Sequence, residues 1–163
     1  MSEPGDRPDV TQAPLAQTGH GLIPAREGWF VLNARDAQWE QAPGRSATCD
    51  FEGEVKFSDL GINLSVLGPG QAMAMYHWEH DQEDFLILAG EALLIVEGVE
   101  RPVRRWDFIH CPAGTRHVLI GAGERSCLVL AVGARRHSAA SRWGGYVFDA
   151  TASGHGASAE QHS

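Results

Sequence analysis

Between the two ends of the chain the apolar pattern has a period of two, as at Leu60, Ile62, Leu64 and Val66, and no stretch has the 3.6-residue repeat of a long helix. A repeat of two is typical of β-strands, whose side chains alternate between two faces. Glycine and proline separate the runs, so the pattern predicts an all-β domain of short antiparallel strands. The runs that predict strands are LGINLSVL (60–67), FLILAG (85–90), ALLIVEG (92–98), VERPVRRW (99–106), FIHCP (108–112), HVLIGAG (117–123) and CLVLAVG (127–133). Glu97-Gly98 predicts a tight hairpin turn between two of these strands.

The two ends of the chain differ in composition from its central part. Residues 1–25 contain four prolines and few large apolar side chains, which predicts a flexible tail. Residues 26–136 then form the β-domain. Residues 137–163 are rich in Ala, Ser, Gly and His and predict a second tail that is partly docked. Its apolar patch, RWGGYVFD (142–149), could dock on the core, cover the mouth of a barrel or pair with a second subunit.

Composition and charge exclude several classes of partner. The 163 residues are 43% hydrophobic and carry a net charge of −8. This acidic balance argues against a nucleic-acid partner and against binding to an anionic membrane surface. The N-terminus lacks the basic and apolar regions of a signal peptide, so we expect a cytoplasmic protein. The three cysteines have no CxxC spacing and are expected to be free thiols.

Histidines and carboxylates cluster around the segment AMAMYHWEHDQEDFLILAG (72–90). His77 and Glu79 share one face of a strand, because alternate residues point the same way. A hairpin can return Glu83 to their side, and His117 opens a later strand after a Pro-x-Gly turn. Two imidazoles and two carboxylates suit one divalent transition metal, namely iron, manganese, nickel or zinc. Without a cation, Glu79 and Glu83 would be hard to bury together in ionised form.

These residues resemble the two motifs of the cupin superfamily. The first motif, Gly-x5-His-x-His-x3–4-Glu-x6-Gly, is similar to His77, Glu79, Glu83 and Gly90 with their spacing. The second, Gly-x5-Pro-x-Gly-x2-His-x3-Asn, is similar to the stretch from Pro112 through Gly114 to His117. The chain departs from the motifs at Gly70, which lies one residue too far from His77, and at Glu79, Trp106 and Gly121, which replace His, Gly and Asn.

The resemblance implies a single jelly-roll barrel with one metal ion inside it. In the family three His and one Glu hold the metal, and His77, Glu83 and His117 match three of these positions. Glu79 matches the fourth position with a different residue type. Two interpretations stay open: Glu79 is a ligand, or it is a general base beside a site of two His and one carboxylate.

The function expected from the resemblance is that of a metal-dependent enzyme acting on a small organic metabolite. Chemistry of the oxygenase, isomerase or lyase type is within reach of such a site, with Glu79 as the candidate base. The alternative is a non-catalytic cupin that binds or senses a small molecule in the same pocket. A third hypothesis is a metal-free isomerase that uses His110.

Strand alternation also predicts which side chains line the pocket and which face outward. His110 is a second candidate catalytic residue, since it could line the pocket or hydrogen-bond a substrate. Tyr76 and Trp78 point away from His77 and, with Trp106, could form the interface of the homodimer that is common among cupins. The predicted lining residues are Leu64, Val66, Met73, Met75, Phe85, Ile87 and His110.

Overall fold

The structure, a computed structural model, describes residues 8–136 and 143–161. The remaining parts of the two predicted tails, residues 1–7, 137–142 and 162–163, lie outside the described residues. The strands are β1 Leu15–Thr18, β2 Gly21–Pro24, β3 Ala47–Cys49, β4 Leu60–Leu67, β5 His77–Glu79, β6 Glu83–Ala89, β7 Glu91–Val96, β8 Val99–Arg104, β9 Phe108–Cys111, β10 His117–Ala122, β11 Cys127–Ala134 and β12 Gly144–Tyr146, and the helix is α1 Ala150–Gly154.

The chain divides into two compact units, and the smaller one comprises residues 1–38 and 51–56. Within it β1 and β2 form an antiparallel hairpin, with Leu15 opposite Pro24 and Thr18 opposite Gly21. The side-chain hydroxyl of Thr18 donates to the carbonyl of Gly21 at 2.8 Å and so closes the turn. This hairpin lies inside the predicted tail of residues 1–25, and the domain boundary after residue 25 stays a prediction.

The larger unit, residues 39–50 and 57–163, contains two antiparallel sheets of five strands each. Sheet I has the strand order β3-β4-β11-β6-β9, and sheet II has the order β12-β5-β10-β7-β8. All seven predicted strands are present, as β4 and as β6 to β11. The prediction of an all-β jelly-roll fold is confirmed.

Apolar side chains from both sheets build one core. Phe85 and Ile87 of sheet I belong to the same buried cluster as Leu94 and Leu119 of sheet II. Burying each such side chain contributes about 1.5–3 kcal/mol relative to leaving it in water. This core fixes the separation of the two sheets and therefore the space between them.

The predicted hairpin turn at Glu97-Gly98 is confirmed. Both residues have positive φ, 49° and 75°, and Val96 lies opposite Val99 across the turn. Two positive φ values are the signature of the turn that matches the twist of a β-hairpin. Glycine adopts such a φ without steric cost, which explains its place at the second position.

The C-terminal segment, residues 143–161, covers the outer face of sheet II. Strand β12 pairs with β5, and α1 begins after Asp149, whose carboxylate accepts from the backbone N–H of Ala152 at 2.9 Å. Ala152 and Ala157 pack in a buried cluster with Tyr76. Docking on the core, one of the three positions predicted for that patch, is observed.

This packing corrects the role predicted for Tyr76. Its side chain is 1% exposed, and its hydroxyl accepts from the backbone N–H of Gly98 at 3.0 Å. The C-terminal segment of the same chain covers Tyr76, so Tyr76 is not available to a partner subunit. The homodimer itself stays a prediction.

Two further expectations concern the environment of the protein. Cys49, Cys111 and Cys127 are buried, and no disulfide joins them, as predicted. Among the described residues, no helix is long and apolar enough to cross a membrane.

Candidate metal centre

Two histidines lie side by side at the start of two neighbouring strands of sheet II. His77 opens β5 and His117 opens β10, and the two residues are directly opposite each other in the antiparallel pairing. Their rings have centroids 4.8 Å apart. Both residues are buried, at 8% and 2% exposed. The fold thus joins two imidazoles that are far apart in the sequence.

Backbone carbonyls orient both imidazoles in the same way. His77 Nδ1 lies 2.7 Å from the carbonyl oxygen of Met75, and His117 Nδ1 lies 3.0 Å from that of Thr115. In each ring Nδ1–H therefore donates to the backbone. The Nε2 atom is the one left for the site, and such a hydrogen bond is the usual support of a metal-binding histidine.

Glu83 brings a carboxylate to these two nitrogens from the other sheet. It opens β6 of sheet I, and its Oε2 lies 3.1 Å from His117 Nε2 and 3.8 Å from His77 Nε2. One donor atom from each of the three residues lies within 4.8 Å of the others. The three side chains could therefore hold one metal ion.

The pKa values of the three groups depend on one another. Burial lowers the pKa of His77, but the carboxylates of Glu79 and Glu83 outweigh it and raise that pKa to about 9. Burial likewise lowers the pKa of His117, whereas Cys111 and Glu83 raise it to about 10. Burial raises the pKa of Glu83, but hydrogen bonds from the two histidines bring it down to about 2.

The donor set fits a divalent transition metal. Two imidazole nitrogens and one carboxylate oxygen are the ligands that iron, manganese, nickel and zinc accept. In the metal-free protein, protons on the imidazoles supply the positive charge beside Glu83. A divalent cation would supply the same charge and displace these protons, as metal binding to histidine requires.

Glu79 lies beside this group but is not one of its three members. Its Oε1 is 3.7 Å from His77 Nε2, and its side chain is 25% exposed, more than those of His77 and Glu83. The residue lines the cavity that opens at the site.

A cavity of about 340 Å³ adjoins the three side chains. It lies within the larger unit and receives side chains from both sheets and from the C-terminal segment. The lining residues are Thr48, Asn63, Ser65, Met73, Ala74, His77, Glu79, Glu83, Phe85, His117, Val118, Leu119, Trp143 and Tyr146. Of the residues predicted to line the pocket, Met73 and Phe85 do so.

The prediction of which face of β4 borders the cavity is wrong. Asn63 and Ser65 line the cavity, whereas Leu64 and Val66 point to the other side of sheet I. Leu64 is nonetheless buried, at 9% exposed. Because both faces of β4 are at least partly buried, apolar alternation identifies two faces but not which one borders the cavity.

The predicted place of Met75 is wrong for a different reason. Regular pairing of β5 begins only at His77, so strict alternation does not extend back along the chain. Met75 is 37% exposed and does not line the cavity at the site. Its backbone carbonyl has the functional contact, with His77 Nδ1.

The structure does not bring His110 to the cavity. It lies on the outer face of β9, directly opposite Asp84 of β6, and its Nδ1 is 2.6 Å from Asp84 Oδ1. Its side chain is 51% exposed. Ile109 and Cys111, on either side of it, point inward and are buried.

Several residues that line the cavity were not predicted from the sequence. Asn63 and Ser65 are polar residues in an otherwise apolar strand, and this interruption is the signal that could have indicated a pocket. Trp143 and Tyr146 belong to the apolar patch for which covering a barrel mouth was one of three open alternatives. Nothing in the sequence distinguishes that alternative from the others.

Gly121 explains one departure from the second motif. A Cβ atom at this position would overlap the carbonyl oxygen of Gly68. The backbone N–H of Gly121 donates to the carbonyl of Gln71 at 2.9 Å, and its own carbonyl accepts from the N–H of Gly70 at 2.8 Å. A residue without a side chain is needed for this close approach of two backbones.

The chain has relatives of known fold. The family described as Cupin domain matches residues 63–133. A protein from Acidithiobacillus ferrooxidans provisionally named a sugar phosphate isomerase is 23% identical, with a TM-score of 0.56 over 64% of this chain and 74% of that chain. A predicted oxalate decarboxylase from Thermotoga maritima is 18% identical, with a TM-score of 0.56 over 64% and 98%. The polyketide cyclase RemF from Streptomyces resistomycificus is 14% identical, with a TM-score of 0.57 over 65% and 79%.

These likenesses establish the fold and not an activity, since the proteins differ in what they are described to do. No curated protein matches the chain. The two sheets, the match to the family over residues 63–133 and the related structures agree with one another. The chain therefore contains a cupin domain, which the family model matches over residues 63–133.

Proposed function

We propose that this protein is a metal-dependent enzyme that acts on a small organic molecule in the cavity beside His77, Glu83 and His117. The observation that carries the proposal is the convergence of three donor atoms within 4.8 Å at the wall of a cavity of about 340 Å³. Three protein ligands leave a divalent metal with free coordination positions, which is typical of catalytic sites rather than structural ones.

When bound, a divalent metal supplies polarisation of an oxygen substituent of the substrate. His77 and His117 hold it through Nε2, while the carbonyls of Met75 and Thr115 keep both rings in the required tautomer. Glu83 contributes the anionic ligand from the opposite sheet. These three residues position the substrate oxygen at the end of the cavity.

Glu79 serves as the general base in this proposal. Its carboxylate lines the cavity next to His77 and is outside the group of three donors. It can accept a proton from a substrate C–H or O–H bond, whose electron pair stays on the substrate. Isomerisation and elimination both begin with such a transfer, and we favour them over chemistry that needs a further co-substrate.

The experiment measures water proton relaxation on protein loaded with Mn²⁺. A site with three protein ligands keeps exchangeable water and strongly enhances relaxation, whereas a closed structural site does not. We expect Glu79→Gln to retain one equivalent of Mn²⁺ and the enhancement, with His110→Ala as the control. Loss of Mn²⁺ in Glu79→Gln would make Glu79 a ligand. A parent protein that binds Mn²⁺ without enhancement would contradict the enzyme and favour a non-catalytic binding module.

A further inference from the structure

Two aromatic rings from the C-terminal segment form one wall of the cavity. Trp143 and Tyr146 both line it, and their ring centroids are 5.0 Å apart at an interplanar angle of 64°. The centroid of the His77 ring lies 5.9 Å from that of Trp143 and 6.2 Å from that of Tyr146. The aromatic wall therefore borders the candidate metal centre directly.

Backbone pairing holds this wall in place without burying its rings. In β12 Gly144 lies opposite Glu79 and Tyr146 lies opposite His77. The carbonyl of Trp143 accepts from the N–H of His80 at 2.9 Å. The side chains nevertheless remain 38% exposed for Trp143 and 57% exposed for Tyr146. Held in position and still exposed, the two rings can contact a ligand at little further entropic cost.

A hydrogen-bond donor belongs to the opposite sheet. Ser65 Oγ donates to Asn63 Oδ1 at 3.2 Å, which fixes the amide group of Asn63. With its oxygen engaged, Asn63 has its amide N–H groups to offer to a ligand in the cavity that it lines. An acceptor atom, such as a carbonyl, hydroxyl or carboxylate oxygen, is the complementary group.

The rest of the wall has five apolar and three polar side chains. Apart from the His/Glu site and the aromatic pair, its polar members are Thr48, Asn63 and Ser65, against Met73, Ala74, Phe85, Val118 and Leu119. Hydroxyls of a sugar that faced these five apolar side chains would lack partners, at about 1–3 kcal/mol for each buried group. A planar ring with one or two oxygen substituents needs only one or two polar partners, and the His/Glu site and Asn63 can supply them.

We propose that the cavity selects a small aromatic ring with one or two oxygen substituents. One oxygen lies at the His77/Glu83/His117 site, another accepts from Asn63, and the ring contacts Trp143 and Tyr146. The inference deepens the proposed function and rests on it for the first of these contacts. Trp143, Tyr146 and Asn63 are then the residues that determine specificity.

The test compares three carboxylic acids by calorimetric titration of the metal-loaded protein. The probes are 4-hydroxybenzoate, trans-4-hydroxycyclohexanecarboxylate, which has the same substituents on a saturated ring, and glucuronate. We expect 4-hydroxybenzoate to bind about tenfold more tightly than its saturated analogue, from the added contribution of aromatic contacts. Trp143→Ala and Tyr146→Ala should reduce this ratio to near one. Tyr146→Phe should keep the ratio, and Trp106→Ala, at an exposed site outside the cavity, is the matched control.

Asn63→Ala should weaken binding of both hydroxy acids equally, because it removes a hydrogen bond and leaves the aromatic wall. A ratio that survives Trp143→Ala and Tyr146→Ala, equal affinity for glucuronate, or no binding of 4-hydroxybenzoate would overturn the inference. Metal content is measured on every sample, so a parent protein without metal contradicts the proposed function alone. On that metal-free protein, the affinity ratio of 4-hydroxybenzoate to its saturated analogue still tests whether the aromatic wall favours an aromatic ring.

Discussion

At the level of single residues, Glu83 lies between two imidazoles, and the carboxylate raises the pKa of both imidazoles while they lower its own. The sequence identified all three through their spacing, because a hairpin and a later strand are enough to bring them to one place. It could not identify the proton positions. These depend on the carbonyls of Met75 and Thr115, which any residue type could have supplied.

The shifted pKa values predict a pH window for the stability of the metal-free protein. A histidine with a raised pKa contributes stability that is complete below its unfolded value of 6.5 and is lost as the pH rises toward 9 for His77 and 10 for His117. Glu83 contributes above its unfolded value of 4.5, and this contribution is lost as the pH falls toward 2. The site therefore stabilises the fold most between pH 4.5 and 6.5.

Thermal unfolding in the presence of a chelator checks this window when parent and Glu83→Gln are compared. The difference in melting temperature should be largest between pH 4.5 and 6.5 and should shrink toward pH 9 and toward pH 3. Because other groups titrate equally in both proteins, the difference isolates the site. A difference that grows from pH 6.5 to pH 9 would show that the histidines are not held in their protonated form.

A second residue-scale prediction concerns Trp106, which replaces the glycine of the second cupin motif. Its φ is 76°, and it is the third residue of a turn closed by the N–H of Asp107 donating to the carbonyl of Arg104 at 2.9 Å. Side chains at such a φ are strained, whereas glycine is not. Trp106→Gly should therefore be more stable than Trp106→Ala by about 1 kcal/mol. Denaturant unfolding measures the difference, and an Ala variant that is as stable as the Gly variant would refute the strain.

At the level of elements, the sequence predicted most strands of the two five-stranded sheets and missed two of the shortest, β3 and β12. Strands β4 and β6 to β11 contain apolar residues that alternate along the strand or form a short run, whereas β12, Gly144–Tyr146, has two glycines and one aromatic residue. Its pairing is decided by the free edge of β5 and not by its own propensity. The face of β4 was missed because burial on both sides hides which side borders the cavity.

Gly144 allows β12 to approach β5. Its φ is 145°, and a Cβ atom there would overlap the carbonyl oxygen of Trp78. Gly144→Ala should displace the C-terminal segment, expose Tyr76 and remove the aromatic wall, while metal binding by His77, Glu83 and His117 is retained. Increased hydrogen exchange of residues 144–147 with unchanged metal content is the expected result. Gly154→Ala, where an added Cβ meets nothing within 4 Å, is the matched control.

Unchanged exchange in Gly144→Ala would mean that β12 tolerates a side chain and that the close approach is not required. Loss of metal in the same variant would mean that the segment supports the metal centre itself. Either result would contradict the separate roles proposed here, in which His77, Glu83 and His117 bind the metal and the C-terminal segment supplies the aromatic wall.

At the level of the whole larger unit, the function depends on two sheets that face one core. Sheet II supplies His77 and His117, and sheet I supplies Glu83 and Asn63. The family resemblance predicted this convergence, because the ligand motifs are tied to the fold. It did not predict the walls of the cavity, which come from residues outside both motifs, such as Asn63 and Trp143.

The central claim is that His77, Glu83 and His117 hold one divalent metal, and elemental analysis of protein purified without chelators tests it most directly. We expect about one equivalent of iron, manganese, nickel or zinc in the parent protein, from a site with one set of ligands. His77→Ala and His117→Ala should lose it, and His110→Ala, a histidine on the outer face of sheet I, should keep it. Metal that is absent from the parent even after reconstitution, or that is retained in both ligand variants, would contradict the account.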